Sequence, residues 1–303
     1  MKLFHGLSAF PLTPTDAEGR VQTDALGILV ERIHAAGADS IGLLGSTGGY
    51  AFLTRAERRR AVEAAVSRIA GRMPVIVGVG ALRTDEAQSL ARDAAEAGAD
   101  GLLLAPVSYT PLTEEEVFQH FVAVASVTDL PLCIYNNPAT TKFTFSHELI
   151  ERLSKVPNIV AAKMPAPDDR DFAEEIRRLR SLTPDGFAIG YSGDWNAANA
   201  LLHGADAWYS VVAGLLPEPA LKLTRPAQQG EASEARRMNE AFQPLWTLFQ
   251  EFGSFRVMYA IANLQGLTEA QPPRPILPLS AEVRGRVEMA LESVEREMLM
   301  VAG

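Results

Sequence analysis

A single cysteine, Cys133, stands in 303 residues. That excludes an intrachain disulfide and a cysteine cluster for zinc, and in an apolar segment the expected role is packing. No stretch approaches the ~18 apolar residues of a membrane span. The opening Met1-Lys2-Leu3-Phe4-His5-Gly6 lacks the sustained apolar run of a secretory leader. Positive charge is in deficit: 28 Lys and Arg face 37 Asp and Glu, for a net charge of -9. A nucleic-acid surface is therefore not expected. An anionic ligand would have to be held by local amides, hydroxyls or a single cation. The histidines (His5, His34, His120, His147 and His203) are scattered without ligand spacing, so no metal centre is predicted. No Gly-x-Gly-x-x-Gly follows a strand-like segment, so the dinucleotide fingerprint is missing. The expectation is no metal, no cofactor, no membrane and no nucleic acid, in a reducing cytoplasm.

What is present has the balance of a globular protein, with 47% hydrophobic and 21% charged residues. Apolar runs at 7–12, 40–44, 74–79, 101–105, 131–135, 159–163, 187–190 and 207–212 alternate with amphipathic stretches. Thr54-Arg55-Ala56-Glu57 and Thr113-Glu114-Glu115-Glu116 match the capping box that opens a helix. Thr84-Asp85-Glu86 supplies a cap and two acids where a helix dipole favours them. A weak repeat, Ala36-Gly37-Ala38-Asp39, Ala97-Gly98-Ala99-Asp100 and His203-Gly204-Ala205-Asp206, precedes three of the runs. Its glycine suits a helix C-terminal cap. Eight strand–helix units in roughly 225 residues predict an α/β fold, a (β/α)8 TIM barrel. A doubly wound open sheet is the alternative. Beyond residue 225 the strands stop. Helices are predicted at 225–251, 255–263 and 281–300, joined by Gln271-Pro272-Pro273-Arg274-Pro275. The chain thus divides into a barrel, 1–225, and a C-terminal helical extension packed on it, 226–303.

Lys163 ends the apolar run Ile159-Val160-Ala161-Ala162. Lysine is hardly ever buried without a partner or a purpose. Burial disfavours an ammonium, and a neutral amine attacks carbonyls to form a Schiff base. A lysine that snorkels to solvent is the competing reading. One strand earlier, Leu132-Cys133-Ile134 ends in Tyr135-Asn136-Asn137-Pro138, a phenol on a neighbouring tip. In a (β/α)8 barrel these tips share the face that carries the active site. The same face receives Gly45-Ser46-Thr47-Gly48-Gly49-Tyr50, a backbone-amide nest for an anion. It also receives Ser108-Tyr109, Ser192-Gly193-Asp194-Trp195 and Trp208-Tyr209. An ordinary glycine turn, a core tyrosine and a surface tyrosine are the plain alternatives for these pieces.

The Gly-Ser-Thr-Gly loop at 45–48, Tyr135-Asn136-x-Pro138, Lys163 and Ser192-Gly193-Asp194 together resemble the dihydrodipicolinate synthase / N-acetylneuraminate lyase family of class I Schiff-base aldolases. The resemblance covers nearly the whole chain. It implies that Lys163 forms the Schiff base with a 2-keto acid and that Tyr135 moves the proton. It implies a hydroxyl relay of Thr47, Tyr109 and Tyr135. It also implies that the amides of Ser46 and Thr47, with Gly48, hold the keto acid's carboxylate. In relatives the tyrosine matching Tyr109 can come from a neighbouring subunit, and tetramers built as dimers of dimers are common, so a homotetramer is implied.

Two departures bear on the substrate. Glutamate usually fills the fifth position of the loop motif; here it is Gly49, which is expected to open space near Tyr50. Thr140 stands where dedicated dihydrodipicolinate synthases carry an arginine for the aldehyde partner's carboxylate. Asp194 is a candidate acceptor for substrate hydroxyls, and Tyr209 a candidate aromatic of the pocket rim. The sequence therefore predicts a Schiff-base lyase on a 2-keto acid. The reaction is aldol cleavage or condensation involving pyruvate, or dehydration of a 2-keto-3-deoxy sugar acid. Dihydrodipicolinate synthase proper, a metal-dependent class II aldolase and a catalytically silent keto-acid-binding barrel are the alternatives.

Overall fold

Eight strands of four to six residues close into one parallel barrel in sequence order. They are β1 (Gly6–Ala9), β2 (Ser40–Leu43), β3 (Val75–Gly78), β4 (Gly101–Leu104), β5 (Leu132–Tyr135), β6 (Ile159–Met164), β7 (Ala188–Tyr191) and β8 (Ala207–Ser210). β1 pairs with both β2 and β8, which closes the ring. The computed structural model describes residues 3–167 and 171–301; Met1 and Lys2 of the opening segment lie outside them. All eight apolar runs are strands, so the closed barrel holds and the open sheet does not. The runs at 7–12 and 207–212 overshoot: their last residues turn off the strand tips into loops.

Side chains alternate across each strand, as the pleat requires. Leu102 and Leu104 pack outward under the helices, while Leu103 points into the barrel with Phe4, Phe10, Ile76, Cys133, Tyr135 and Tyr209. Two apolar layers result, one inside the ring and one between the ring and its helices.

The Gly-Ala-Asp repeat has a physical meaning. Each glycine turns the chain in the left-handed region, with φ of 86° at Gly37, 88° at Gly98 and 90° at Gly204. Each aspartate then clamps the preceding strand by both its groups. The Asp39 N–H donates to Leu7 O (2.9 Å) and its carboxylate accepts from Leu7 N (2.7 Å). Asp100 does the same to Val75, and Asp206 to Ile189. Strand-start N–H groups that have no ladder partner are thereby satisfied at the end of the barrel opposite the site.

Helix starts follow the sequence unevenly. Thr113 and Glu116 form the full capping box. At Thr54 only half forms, because the Glu57 carboxylate accepts from Val21 N at 2.6 Å instead of reaching back. Thr84 is not a cap. It is the first helical residue, after Arg83, and its hydroxyl pairs with His120 Nδ1. The helix expected at 225–251 is two, Pro217–Gln229 and Ala232–Phe252, because Gly230 at φ 78° ends the first. Residue 225 thus lies inside the helix that follows β8. Ala232–Phe252 buries Phe242, Leu245, Trp246 and Phe249, and packs against Ser254–Leu264 and Ala281–Val301. Among the described residues no helix is long and apolar enough to cross a membrane.

Candidate active site

The pairing of β5 with β6 decides what faces what. Leu132 pairs with Ile159, but Cys133 pairs with Ala161, Ile134 with Ala162 and Tyr135 with Lys163. Val160 is the extra residue, a β-bulge half-turned to solvent at 38% exposure. Ile159 faces the outer layer and Ala161 the inner one, although they are two apart in sequence. The bulge therefore shifts the phase of β6 by one. If these residues paired continuously from Ile159, Tyr135 would sit beside Ala162 and Lys163, one step on, would face the outer layer. With the bulge Lys163 turns into the barrel beside Tyr135. Since the side-chain period of a strand is two, a one-residue shift of register is what separates an outward lysine from an inward one.

Lys163 is 4% exposed. Its Nζ lies 4.2 Å from the ring centroids of both Phe10 and Tyr135 and 5.7 Å from that of Tyr209. It forms no ion pair with a carboxylate of the described residues. The Tyr135 hydroxyl accepts from Asn137 Nδ2 at 2.9 Å and lies 3.1 Å from Ser46 Oγ. With the amide donating, the phenol keeps its own proton for Ser46 or for a substrate atom. Asn137 also supports the charge that develops on the oxygen when that proton leaves. The backbone N–H groups of Ser46, Thr47 and Gly48 make no hydrogen bond with the described residues, so the loop presents free donors. A cavity of about 10 Å³, room for about one water, adjoins Tyr135 between Tyr50, Gly45 and Gly80.

Several expected roles change. The hydroxyl at the Tyr135 phenol is that of Ser46, not Thr47; Thr47 is buried and its hydroxyl makes no bond within the described residues. Tyr109 does not join the relay within its own chain, being 96% exposed on the loop after β4. Asp194 is not a substrate acceptor. It is 1% exposed and accepts from Trp208 Nε1 (3.1 Å), Val211 N (3.1 Å) and Val212 N (2.7 Å), tying the tip of β7 to that of β8. Burial pushes its carboxyl up to about 6, against the opposing pull of those donors. Ser192 likewise serves the scaffold, its N–H and hydroxyl both donating to Met164 O.

Tyr209 is not a rim aromatic. It lies in the inner layer, its hydroxyl 3.5 Å from Cys133 Sγ, and forms the floor beneath Lys163. Burial pushes its phenol well above the ordinary range and the Cys133 thiol up to about 12. The room that Gly49 leaves is bounded by aromatic rings. Gly49 adopts φ 62°, and an added Cβ would meet the Phe255 ring at 3.4 Å, where Phe255 stacks on Phe52. Beside it Tyr50 is pushed up to about 12 by burial and faces the Arg58 guanidinium, which donates to the carbonyls of Gly78 and Gly80. Thr140 is exposed, and its hydroxyl donates back to Asn137 O at 3.3 Å. Two contributors were not foreseen. Asn137 fell at the variable position of its motif, and Phe10 lies past the end of β1, flanked by Pro11. The amide two residues after a candidate acid was a usable signal; for Phe10 there was none.

Residues 3–294 match the model of the dihydrodipicolinate synthetase family. The chain belongs to this family. Members are lyases that form a lysine Schiff base with pyruvate. A 4-hydroxy-tetrahydrodipicolinate synthase of Pseudomonas putida (strain W619) is 36% identical over 92% of this chain and 94% of its own length. The namesake enzyme of Neisseria meningitidis serogroup B is 32% identical over 93% and 96%. The crystal structure of a dihydrodipicolinate synthase from Agrobacterium tumefaciens is 62% identical, with TM-score 0.95 over 96% of this chain and 98% of that one. The chloride-inhibited enzyme of Acinetobacter baumannii, solved with pyruvate, is 29% identical with TM-score 0.88 over 96% and 99%.

Proposed function

We propose that this member of the dihydrodipicolinate synthetase family uses Lys163 as its Schiff-base residue on a 2-keto acid. It cleaves or forms a carbon–carbon bond to pyruvate, or dehydrates a 2-keto-3-deoxy sugar acid. The observation that carries the class is the register that sets Lys163 beside Tyr135. The Lys163 amine adds to C2 of the keto acid, and water leaves as the iminium forms. The iminium draws electrons from C3, so that a C3 proton is released or the C3–C4 bond breaks. Tyr135 carries the proton, with Ser46 and Asn137 as its hydrogen-bond partners. The free amides of Ser46, Thr47 and Gly48 suit the substrate's carboxylate. The exposed Tyr109 suits donation to a neighbouring copy, in a homotetramer. The cytoplasm is the compartment we assign.

Thr140 carries the substrate reading. A bidentate guanidinium fork is missing there, and a charge-assisted hydrogen bond amounts to about 10- to 150-fold in affinity. Lys142, the nearest cation of that loop, is exposed and donates to Ala139 O. The names of the relatives favour a second reading, dihydrodipicolinate synthase proper. Condensation of pyruvate with aspartate semialdehyde at saturating pyruvate separates the two. We expect a raised aldehyde KM and depressed kcat/KM, and turnover of 2-keto-3-deoxy acids in a parallel screen. An efficiency of about 10⁴ M⁻¹s⁻¹ or above on aspartate semialdehyde would select the second reading.

A further inference from the structure

The mechanism above makes no use of Phe10, yet its ring stands as near to the reacting amine as that of Tyr135. Phe10 is 2% exposed, with its ring centroid 4.2 Å from Nζ. It meets Tyr209 edge to face, centroids 6.2 Å apart at 76°. Its seat is specific. An added Cβ at Gly42 would lie 2.2 Å from Phe10 Cζ, and one at Gly45 2.6 Å from Phe10 Cδ1. Two positions of β2 and its loop are thus kept free of side chain where this ring stands. No carboxylate of the described residues pairs with Nζ. Three aromatic rings stand around the nitrogen, those of Phe10, Tyr135 and Tyr209.

We propose that Phe10 is a catalytic residue of the Schiff-base step, its ring face completing an aromatic cage that stabilises the cationic iminium on Lys163. The proposal rests on the Schiff-base reading. In that step the C2–N bond forms, the C2–O bond breaks, one proton is taken up and the oxygen leaves as water. The nitrogen ends as a planar cation. A π face stabilises a cation electrostatically, and does so without a lone pair that could take the proton or attack carbon. An ammonium is a compact, strongly hydrated charge, whereas a delocalised planar cation is weakly hydrated and stacks on rings. Apolar walls therefore cost the ammonium its water and suit the iminium. The Phe10 ring also offers no atom to hold water against that side of the C=N bond.

The test replaces Phe10 by mono-, di- and trifluorinated phenylalanine, which withdraws π density while keeping the ring. Phe10→Leu is made alongside. At one fixed pH, the enzyme is titrated with pyruvate, reduced with sodium borohydride, and its trapped fraction read by intact mass. We expect the half-saturating pyruvate concentration to rise stepwise with fluorine number, by about 2- to 30-fold across the series, with Phe10→Leu at the weak end. A constant unchanged across the fluorinated series, with the parent still trapping pyruvate, would overturn the cage and leave Phe10 as packing. Absence of any adduct in the parent would instead overturn the Schiff-base reading, and the cage with it. If Phe10→Leu does not fold, the fluorinated series decides alone.

Discussion

Tyr135 and Ser46 show how far a residue's role can be read before its neighbours are known. The phenol at a strand tip was legible from the apolar run that leads to it. Its hydroxyl partner was not, because Ser46 and Thr47 are adjacent, chemically alike, and point to different places. Only the turn geometry after β2 puts Ser46 Oγ at 3.1 Å. Tyr135→Phe is expected to lower kcat by about 10²–10⁴-fold, the usual span of general acid–base catalysis. A loss under about threefold would remove the phenol from the mechanism. Ser46→Ala should lower kcat further than Thr47→Val, and the reverse order would restore Thr47 to the relay. Asp194 was misread for a plain reason: a carboxylate in a Ser-Gly-Asp loop looks available until its three donors are seen. Asp194→Ala strands three N–H donors, at about 1–3 kcal/mol for each one left without a partner. Unfolding free energy should fall by at least about 2 kcal/mol, while the folded fraction keeps its KM. A raised KM with unchanged stability would make Asp194 a ligand after all.

At the scale of elements, the strands were legible and their phase was not. Apolar runs bounded by helix signals identify all eight strands. The Gly-Ala-Asp repeat even marks three places where one strand is clamped to the next. The bulge at Val160 leaves no mark in the sequence, since Ile159-Val160-Ala161-Ala162 reads as an unbroken buried run. Yet the register past this bulge turns Lys163 inward. Deleting Val160 should heal the bulge and leave Lys163 opposite Tyr135, because Ala161 then follows Ile159 in the register that Cys133 already holds. Borohydride trapping of pyruvate should then persist in a variant that still unfolds cooperatively, followed by circular dichroism and intact mass. Trapping lost from a folded variant would mean that the bulge positions Lys163 by more than its register. The helical tail was read less well. A single glycine, Gly230, divides what composition presents as one helix, and mid-pattern glycine is a weak signal before the turn is seen.

At the scale of the molecule, one chain brings Lys163, Tyr135, the Gly45–Gly48 loop and three aromatic rings together, but leaves Tyr109 exposed. If the phenol serves a neighbouring copy, mixing Tyr109→Ala with Lys163→Ala should restore activity that neither variant has alone. Mixed assemblies would then contain sites with an intact Lys163 and a donated Tyr109. No recovery after the subunits have exchanged would confine each site to its own chain. The central claim is narrower and stands on a single nitrogen. Incubation of the enzyme with pyruvate and sodium borohydride, followed by peptide mapping, tests it directly. The account predicts one reduced pyruvate adduct on Lys163, with no adduct and no turnover in Lys163→Ala. An unmodified Lys163, or turnover that survives its replacement, would contradict it.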